Sequence, residues 1–341
     1  MDDADRETLA SLRTTTKDVL RSAFADQYAE AVLLDFPRHR NAGDSLIWAG
    51  ERSYLRSLGV RVTYSSDSGR LNSALFDVKR RGAVVLFHGG GNLGDLWPGY
   101  QRFREQIIST IPQNRVVILS QSLFFNEAEA AKRANRVFAE HGNVSILLRD
   151  HESIARARVS LPDAHVVFCP DMAFGNELVR HERSPKYDYV ITARGDRERS
   201  TDEVPSLESA VGPLDWESGM SRWKSAKYWL ARSPGMAYRR LPRNARPVLE
   251  FLTQRSNDWM AGVNVESAQE IVSRGRVVVT DRLHVHILCT LLAIPHVVID
   301  NSYGKIGAVF RAYSGKFSGA NLARSVTEAE QVARALLARA T

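Results

Sequence analysis

Short runs of β-branched and apolar residues alternate along the chain with stretches in which apolar positions recur at helical spacing. The runs AVLLDF (31–36), RVTYS (61–65), AVVLF (83–87), RVVILS (115–120), VSILLR (144–149) and HVVFC (165–169) precede Pro170, and YDYVITA (187–193), RVVVT (276–280) and HVVID (296–300) follow it. Near-continuous apolar runs of this length are what strands buried on both faces of a parallel sheet look like. With helical patterns between most of them, they predict an α/β chain of βαβ units in two Rossmann-like domains facing a cleft. The expected domains are residues 1–180, carrying the glycine-rich segment discussed below, and 185–322; a C-terminal helix over 323–341 is expected to pack back on the N-terminal domain.

Two stretches depart from the alternation. RGDRERSTDEVPSLESAV (194–211) carries charge but no apolar period and is expected to be a surface loop. DWESGMSRWKSAKYWL (215–230) gathers three of the six tryptophans, Trp216, Trp223 and Trp229, among Arg222, Lys224 and Lys227. An amphipathic helix packed on its own domain is the favoured expectation, because aromatic stripes at helical spacing are usually core. A sugar-stacking surface or a membrane-touching helix has the same composition.

The 341 residues exceed the size at which one core usually stops growing, which agrees with two domains. Hydrophobic content of 44% with 25% charged residues is ordinary for a globular chain, and no apolar stretch approaches the roughly 18 residues of a membrane span. The acidic, helix-patterned start, MDDADRETLA, lacks the basic and apolar regions of a secretory signal, so a cytoplasmic protein is expected. Cys169 and Cys289 lie far apart in apolar surroundings, as reduced buried thiols do. The 46 Lys and Arg against 39 Asp and Glu leave +7, which favours anionic partners. Because the basic residues form no run and spell no nucleic-acid motif, no nucleic-acid partner is expected.

The segment FHGGGNLGD (87–95) contains a literal G-x-G-x-x-G at Gly89, Gly91 and Gly94, directly after a predicted strand. A dinucleotide site needs a carboxylate at the end of the next strand, and here Ser120, Gln121 and Ser122 stand there. An esterase loop of the HGGG type needs a G-x-S-x-G elbow, which the chain lacks. What remains is the shared physics: glycines that permit close backbone approach, and amides at a helix start that attract an anion. A second Gly-Asp turn, NAGDSLIWAG (41–50), opens another predicted helix at the same sheet edge. Arg149 ends a buried run, and Asp150 is placed to cap the helix after it. In VVVTDRLHVHILCTLLAIPHVVIDNSYGKIG (277–307), Arg282 and His284 stand at the amino end of an almost wholly apolar helix, where the dipole favours an anion. His286, two residues later, faces another direction. The turn 301–305 adds Lys305 at the same edge.

Taken together and in order, these positions resemble the polysaccharide pyruvyltransferases, with the 301–305 turn similar to the exopolysaccharide branch. They are Asn41, Gly43 and Asp44; the segment 89–95; Arg149 and Asp150; Cys169-Pro170-Asp171; Arg282-Leu283-His284; and Asp300-Asn301-Ser302-Tyr303-Gly304-Lys305. Two departures stand out: Asp171 is followed by Met172 where the family has proline, and His286 is a second histidine after Arg-Leu-His. The resemblance implies a GT-B-like pair of domains and transfer of the enolpyruvyl group of phosphoenolpyruvate to two hydroxyls of a glycan, as a cyclic ketal. It implies catalytic roles for Arg149, Arg282 and His284, and substrate binding by Asn41, Gly43, Asp44, Gly89, Gly90, Gly91, Asn92, Asn301, Ser302 and Lys305.

The residue types suit that chemistry. A donor bearing a carboxylate and a phosphate calls for fixed cations, and arginine forks bind both groups bidentately. A group that gives and takes a proton near neutral pH is needed, and His284 is the candidate. No step calls for hydride transfer, and no metal-ligand spacing is visible, so neither cofactor nor metal is expected. The partners expected are phosphoenolpyruvate and a glycan acceptor, free or lipid-linked, with the enzyme at the inner face of the membrane in the second case. Two rivals share the fold: a GT-B glycosyltransferase using a nucleotide sugar, and a catalytically silent carbohydrate-binding protein. The first lacks a visible ribose-binding carboxylate in the C-terminal half, and the charged residues 149, 282 and 284 argue against the second.

Overall fold

The computed structural model describes residues 1–179, 184–194, 203–216, 219–242, 246–300 and 304–340. The first half runs α1 (Asp3–Leu20), β1 (Glu30–Leu34), α2 (Ala42–Ser57), β2 (Arg61–Ser66), α3 (Ser73–Lys79), β3 (Val84–Phe87), β4 (Gly90–Gly94), α4 (Pro98–Thr110), β5 (Val116–Phe124), α5 (Ala128–His141), β6 (Val144–Leu148), α6 (His151–Ser160) and β7 (His165–Phe168). The second half runs β8 (Tyr187–Thr192), β9 (Ala210–Leu214), α7 (Arg222–Arg240), α8 (Arg246–Val272), β10 (Gly275–Thr280), α9 (Leu283–Leu291), β11 (His296–Ile299), α10 (Lys305–Ala312), β12 (Ala320–Ala323) and α11 (Val326–Ala340).

Among the described residues the strands form two sheets, ordered β2-β1-β3-β5-β6-β7, with β4 on β5, and β12-β11-β10-β8-β9. Every pairing is parallel. Central strands such as β3 and β6 are buried at every position, which is why they read as unbroken apolar runs. The strand order reverses between β1 and β3 in one sheet and between β8 and β10 in the other. Crevices at such reversals, beyond the carboxyl ends of the strands, are where open α/β sheets bind ligands.

One apolar core runs through both halves, joining Leu33 and Leu86 of the first sheet, Trp48 of α2, Met260 of α8, Leu288 of α9 and Val278 of β10. Polar contacts tie α8 to the N-terminal half: Trp48 Nε1 donates to Asp258 at 2.8 Å, Asn264 donates to Ser45 at 2.9 Å, and Arg70 donates to Asn257 at 2.9 Å. The element returning to the N-terminal domain is therefore α8. The expected return of the C-terminal helix is corrected: Ala329, Ala333 and Leu336 of α11 pack on Tyr189, Val277 and Val297 of the second sheet. That sheet face needed a cover, and an apolar stripe on the next helix supplied it.

Three strands were not expected. β4 is the glycine segment itself, β9 has the sequence AVGPL on an edge, and β12 is a four-residue edge strand. None carries a run of β-branched residues, so pairing and not propensity makes them strands. The tryptophan stretch is also corrected. The inward positions of α7 are Tyr228, Ala231 and Tyr238, while Trp223 and Trp229 are exposed and Trp216 is buried ahead of the helix. The expected loop lies at 203–209, with β9 beginning at Ala210; its residues 195–202 fall outside the described residues.

Candidate active site

Both strand-order reversals face one cavity of about 380 Å³. Asn41, Asp44 and Gly91 line it from the first half, and Arg194, Arg282, His284 and Lys305 from the second. Apart from Gly91, which lies within β4, each residue stands just beyond a strand or at the start of a helix, because the buried strand ends where the chain can first carry charge.

Arg149 follows β6 and is fully buried. Its Nη1 donates to Asp171 Oδ2 at 2.6 Å and its Nε to Ser122 Oγ at 2.9 Å. Its Nη2 is buried with no hydrogen-bond partner, although an unmet guanidinium donor is costly. Asp171, just beyond β7, also stands 3.5 Å from His284 Nε2 and accepts from the Ala173 amide at 2.8 Å. Burial alone would raise the Asp171 carboxyl, but Arg149, and after it His284, hold it well below the usual carboxylate range. Burial would likewise lower Arg149, and Asp171, with Tyr313 and Asp150, more than reverses this. One carboxylate thus anchors a cation from the N-terminal sheet and a histidine from the C-terminal half.

Arg282 is the N-cap residue of α9; it donates to Asp215 at 2.7 Å and lies over the Trp216 ring, 5.8 Å from its centroid. His284 is seated against Gly43 in the first turn of α2, where an added Cβ would come within 2.6 Å of His284 Nδ1. Asn41 caps α2, accepting from Gly43 N at 2.9 Å and donating to Asp44 at 2.9 Å. Burial would raise Asp44, but His39, His284, His88 and Lys305 hold it ionised, below its ordinary value.

The glycine segment works differently from expectation. It opens no helix, since α4 begins at Pro98, with three residues between it and the end of β4 at Gly94. Its amides are largely taken by the protein: Gly89 N donates to Glu51 at 2.7 Å, Asn92 N to Gln121 at 3.1 Å and Gly94 N to Gln101 at 3.2 Å. The Asn92 side chain is turned inward and accepts from Arg104 and from Gln121. The segment's contribution is thinness. A Cβ on Gly91 would meet Lys305 Nζ at 3.0 Å and Arg149 Nη2 at 3.4 Å, so two cations converge where a side chain would otherwise stand. Gly90, at φ +126°, adopts backbone that other residues rarely tolerate.

The structure therefore brings Asn41, Gly43, Asp44, Gly91, Arg149, Arg282, His284 and Lys305 together. Asn92 also lines the cavity, although its side-chain oxygen is taken by Arg104 and Gln121; Gly89 serves chiefly to hold the segment, and Asn301 and Ser302 lie outside the described residues. His286 is apart from the cavity, fully buried between His296 Nε2 at 2.7 Å and Ser314 Oγ at 2.7 Å. Sequence reasoning did not single out Arg194, Tyr100, Trp97 or Asp215, all on the cavity wall, and it named Trp216, also on that wall, only within the tryptophan stretch. It named Asp171 only within a motif; a lone acid after a strand ending in Cys-Pro was the available signal.

A second cavity of about 670 Å³ adjoins the first, sharing His39, Arg40, Trp97 and Tyr100 with it and adding Arg38, Trp229 and Arg232. Among the described residues no group of three or more His, Cys, Asp or Glu is placed to hold a metal ion, and no helix is long and apolar enough to cross a membrane.

The sequence pattern of one family, described as polysaccharide pyruvyl transferase, matches residues 41–303. Pyruvyl transferase 1 of Schizosaccharomyces pombe is 32% identical over 81% of this chain and 68% of its own length. The EpsO protein of Bacillus subtilis is 31% identical over 84% of this chain and 85% of its own. A crystal structure of a functionally uncharacterised protein from Klebsiella pneumoniae superposes with a TM-score of 0.57 at 18% identity, covering 92% of this chain and 99% of that one.

Proposed function

Because the chain belongs to the polysaccharide pyruvyl transferase family, we propose that its donor is phosphoenolpyruvate and that it closes a pyruvate ketal across two hydroxyls of a glycan. The observation that carries the reading is the convergence of Arg149 Nη2 and Lys305 Nζ on Gly91: Gly91 and Lys305 line a cavity that also holds Arg282 and His284, and the buried Arg149 lies against Gly91. A trianionic donor satisfies such a cluster, since guanidinium forks pair with its carboxylate and phosphate. In this reading the donor occupies the smaller cavity and the acceptor sugar reaches it from the larger one, where Trp97, Tyr100 and Trp229 offer ring faces.

Protonated His284 gives its proton to the methylene carbon, and C2 becomes an electrophile stabilised by its ester oxygen. The first sugar hydroxyl adds to C2 and its proton returns to His284. The C2–O bond to phosphate then breaks, the second hydroxyl adds, and its proton leaves on hydrogen phosphate. The atoms balance as donor plus diol giving ketal plus phosphate. Asp44, ionised on the cavity wall, accepts a hydrogen bond from the incoming hydroxyl. Asp171 keeps the His284 ring directed at the donor.

The test is incubation with phosphoenolpyruvate and free or lipid-linked glycosides, following phosphate release and product mass, beside thermal shifts with the donor alone. Stabilisation by phosphoenolpyruvate and not by nucleotide sugars is expected. A shift with a UDP- or GDP-sugar and none with phosphoenolpyruvate would refute the donor assignment.

A further inference from the structure

The helix α7, RWKSAKYWLARSPGMAYRR, carries six Arg and Lys and no Asp or Glu. Its inward side is closed by Tyr228, Ala231 and Tyr238, with Lys224 bonded to Glu266. Its outward side leaves Trp223 68%, Leu230 61% and Trp229 47% exposed, and the neighbouring α8 leaves Phe251 63%, Leu252 49% and Trp259 44% exposed. These are large apolar side chains on two helices packed side by side, and water is a poor solvent for them.

The charge on the hairpin is one-sided. The acids of α8 are occupied: Glu250 is buried, Asp258 holds Trp48 and Arg52, and Glu266 and Glu270 face Lys224. Cations remain outside, and they lie over the exposed rings: Lys227 over Trp223 at 5.7 Å, Arg232 over Trp229 at 5.1 Å and Arg255 over Phe251 at 5.1 Å. Aromatic bodies with basic groups beside them suit the boundary between lipid headgroups and acyl chains, where the rings bury and the cations stay with phosphate.

We propose that the outer face of the α7–α8 hairpin docks on an anionic lipid surface. A second copy of the chain fits this face poorly, because a symmetric contact would set the same positive charge against itself. Trp229 and Arg232 belong both to this face and to the 670 Å³ cavity, so docking presents the mouth of that cavity to the bilayer. The inference goes beyond the reaction and does not depend on it, since vesicle binding is measured with no substrate present.

The experiment is co-sedimentation of the full chain with vesicles of phosphatidylcholine alone or with phosphatidylglycerol, at low and high salt. Binding to the anionic vesicles that weakens with salt is expected. The double variant Arg222→Glu, Lys227→Glu, and separately the triple variant Trp223→Ser, Leu230→Ser, Phe251→Ser, should each reduce partitioning by about tenfold or more. All five positions lie outside both cavities, and unchanged melting checks that the fold persists. The proposal is overturned if the wild type stays in the supernatant with anionic vesicles at low salt, or if both variants partition as it does. It is equally overturned if ultracentrifugation shows this face joining two copies, in a dimer that the triple variant abolishes.

Discussion

Replacing Asp171 by Asn tests the centre of the site, because it removes one charge while keeping shape. The wild-type carboxylate accepts from Arg149 at 2.6 Å, stands 3.5 Å from His284 and accepts from Ala173 N at 2.8 Å. Asparagine retains an oxygen for the Ala173 amide but leaves the fully buried Arg149 guanidinium without its counter-ion. Breaking one side of a buried pair costs about 3–5 kcal/mol. At about 2.1 cal/mol/K of unfolding entropy per residue over 341 residues, that lowers Tm by about 4–7 °C. The pH dependence has a definite sign: the folded-state pKa of Asp171 is depressed, so its contribution is present above about pH 4 and is lost as pH falls through the lower folded value. The Tm gap between wild type and variant should therefore narrow below about pH 4. Loss of the anchor for His284 should also lower kcat by about 10²-fold. Calorimetry from pH 3 to 8 and phosphate-release kinetics read both effects. A variant with unchanged Tm at neutral pH and unchanged kcat would show that Asp171 neither pairs with Arg149 nor positions His284.

Three further outcomes follow from the geometry. His284→Gln should reduce turnover by about 10²-fold or more with little change in melting, whereas His286→Gln should lower melting and spare donor binding, because among the described residues His286 bonds to His296, Ser314 and its own helix; the reverse pattern would move the acid to His286. Gly43→Ala should keep the helix but push the His284 ring, since the new methyl would stand 2.6 Å from Nδ1, and kcat should fall by at least about tenfold while circular dichroism is unchanged. His296 is buried neutral, with its pKa pushed down to about 4, so the unfolded chain binds the proton first; stability should decline by about 3 kcal/mol as pH falls from about 6.5 to about 4, and chemical denaturation of wild type against His296→Gln reads the difference.

Local sequence was enough to place the strands that are buried on both faces. A run such as VSILL must leave water wherever the chain goes, so its ends were legible as places for charge, Arg282 on the cavity wall and Arg149 buried beside it. The same reasoning marked His284 at the start of a helix too apolar to be exposed. Partnership was not legible. Whether the amides of 89–94 face a ligand depended on Glu51, Gln101 and Gln121, which arrive from three other elements and take them. Asp171 became the anchor of the site only when β7 was laid beside β6 and the two halves closed on each other. Trp223 and Trp229 satisfied a helical period equally well facing in or out, and the packing of Tyr228 and Tyr238 decided it. Hydrophobic periodicity records what a segment needs from its surroundings, and only tertiary contact determines which distant side chain meets that need.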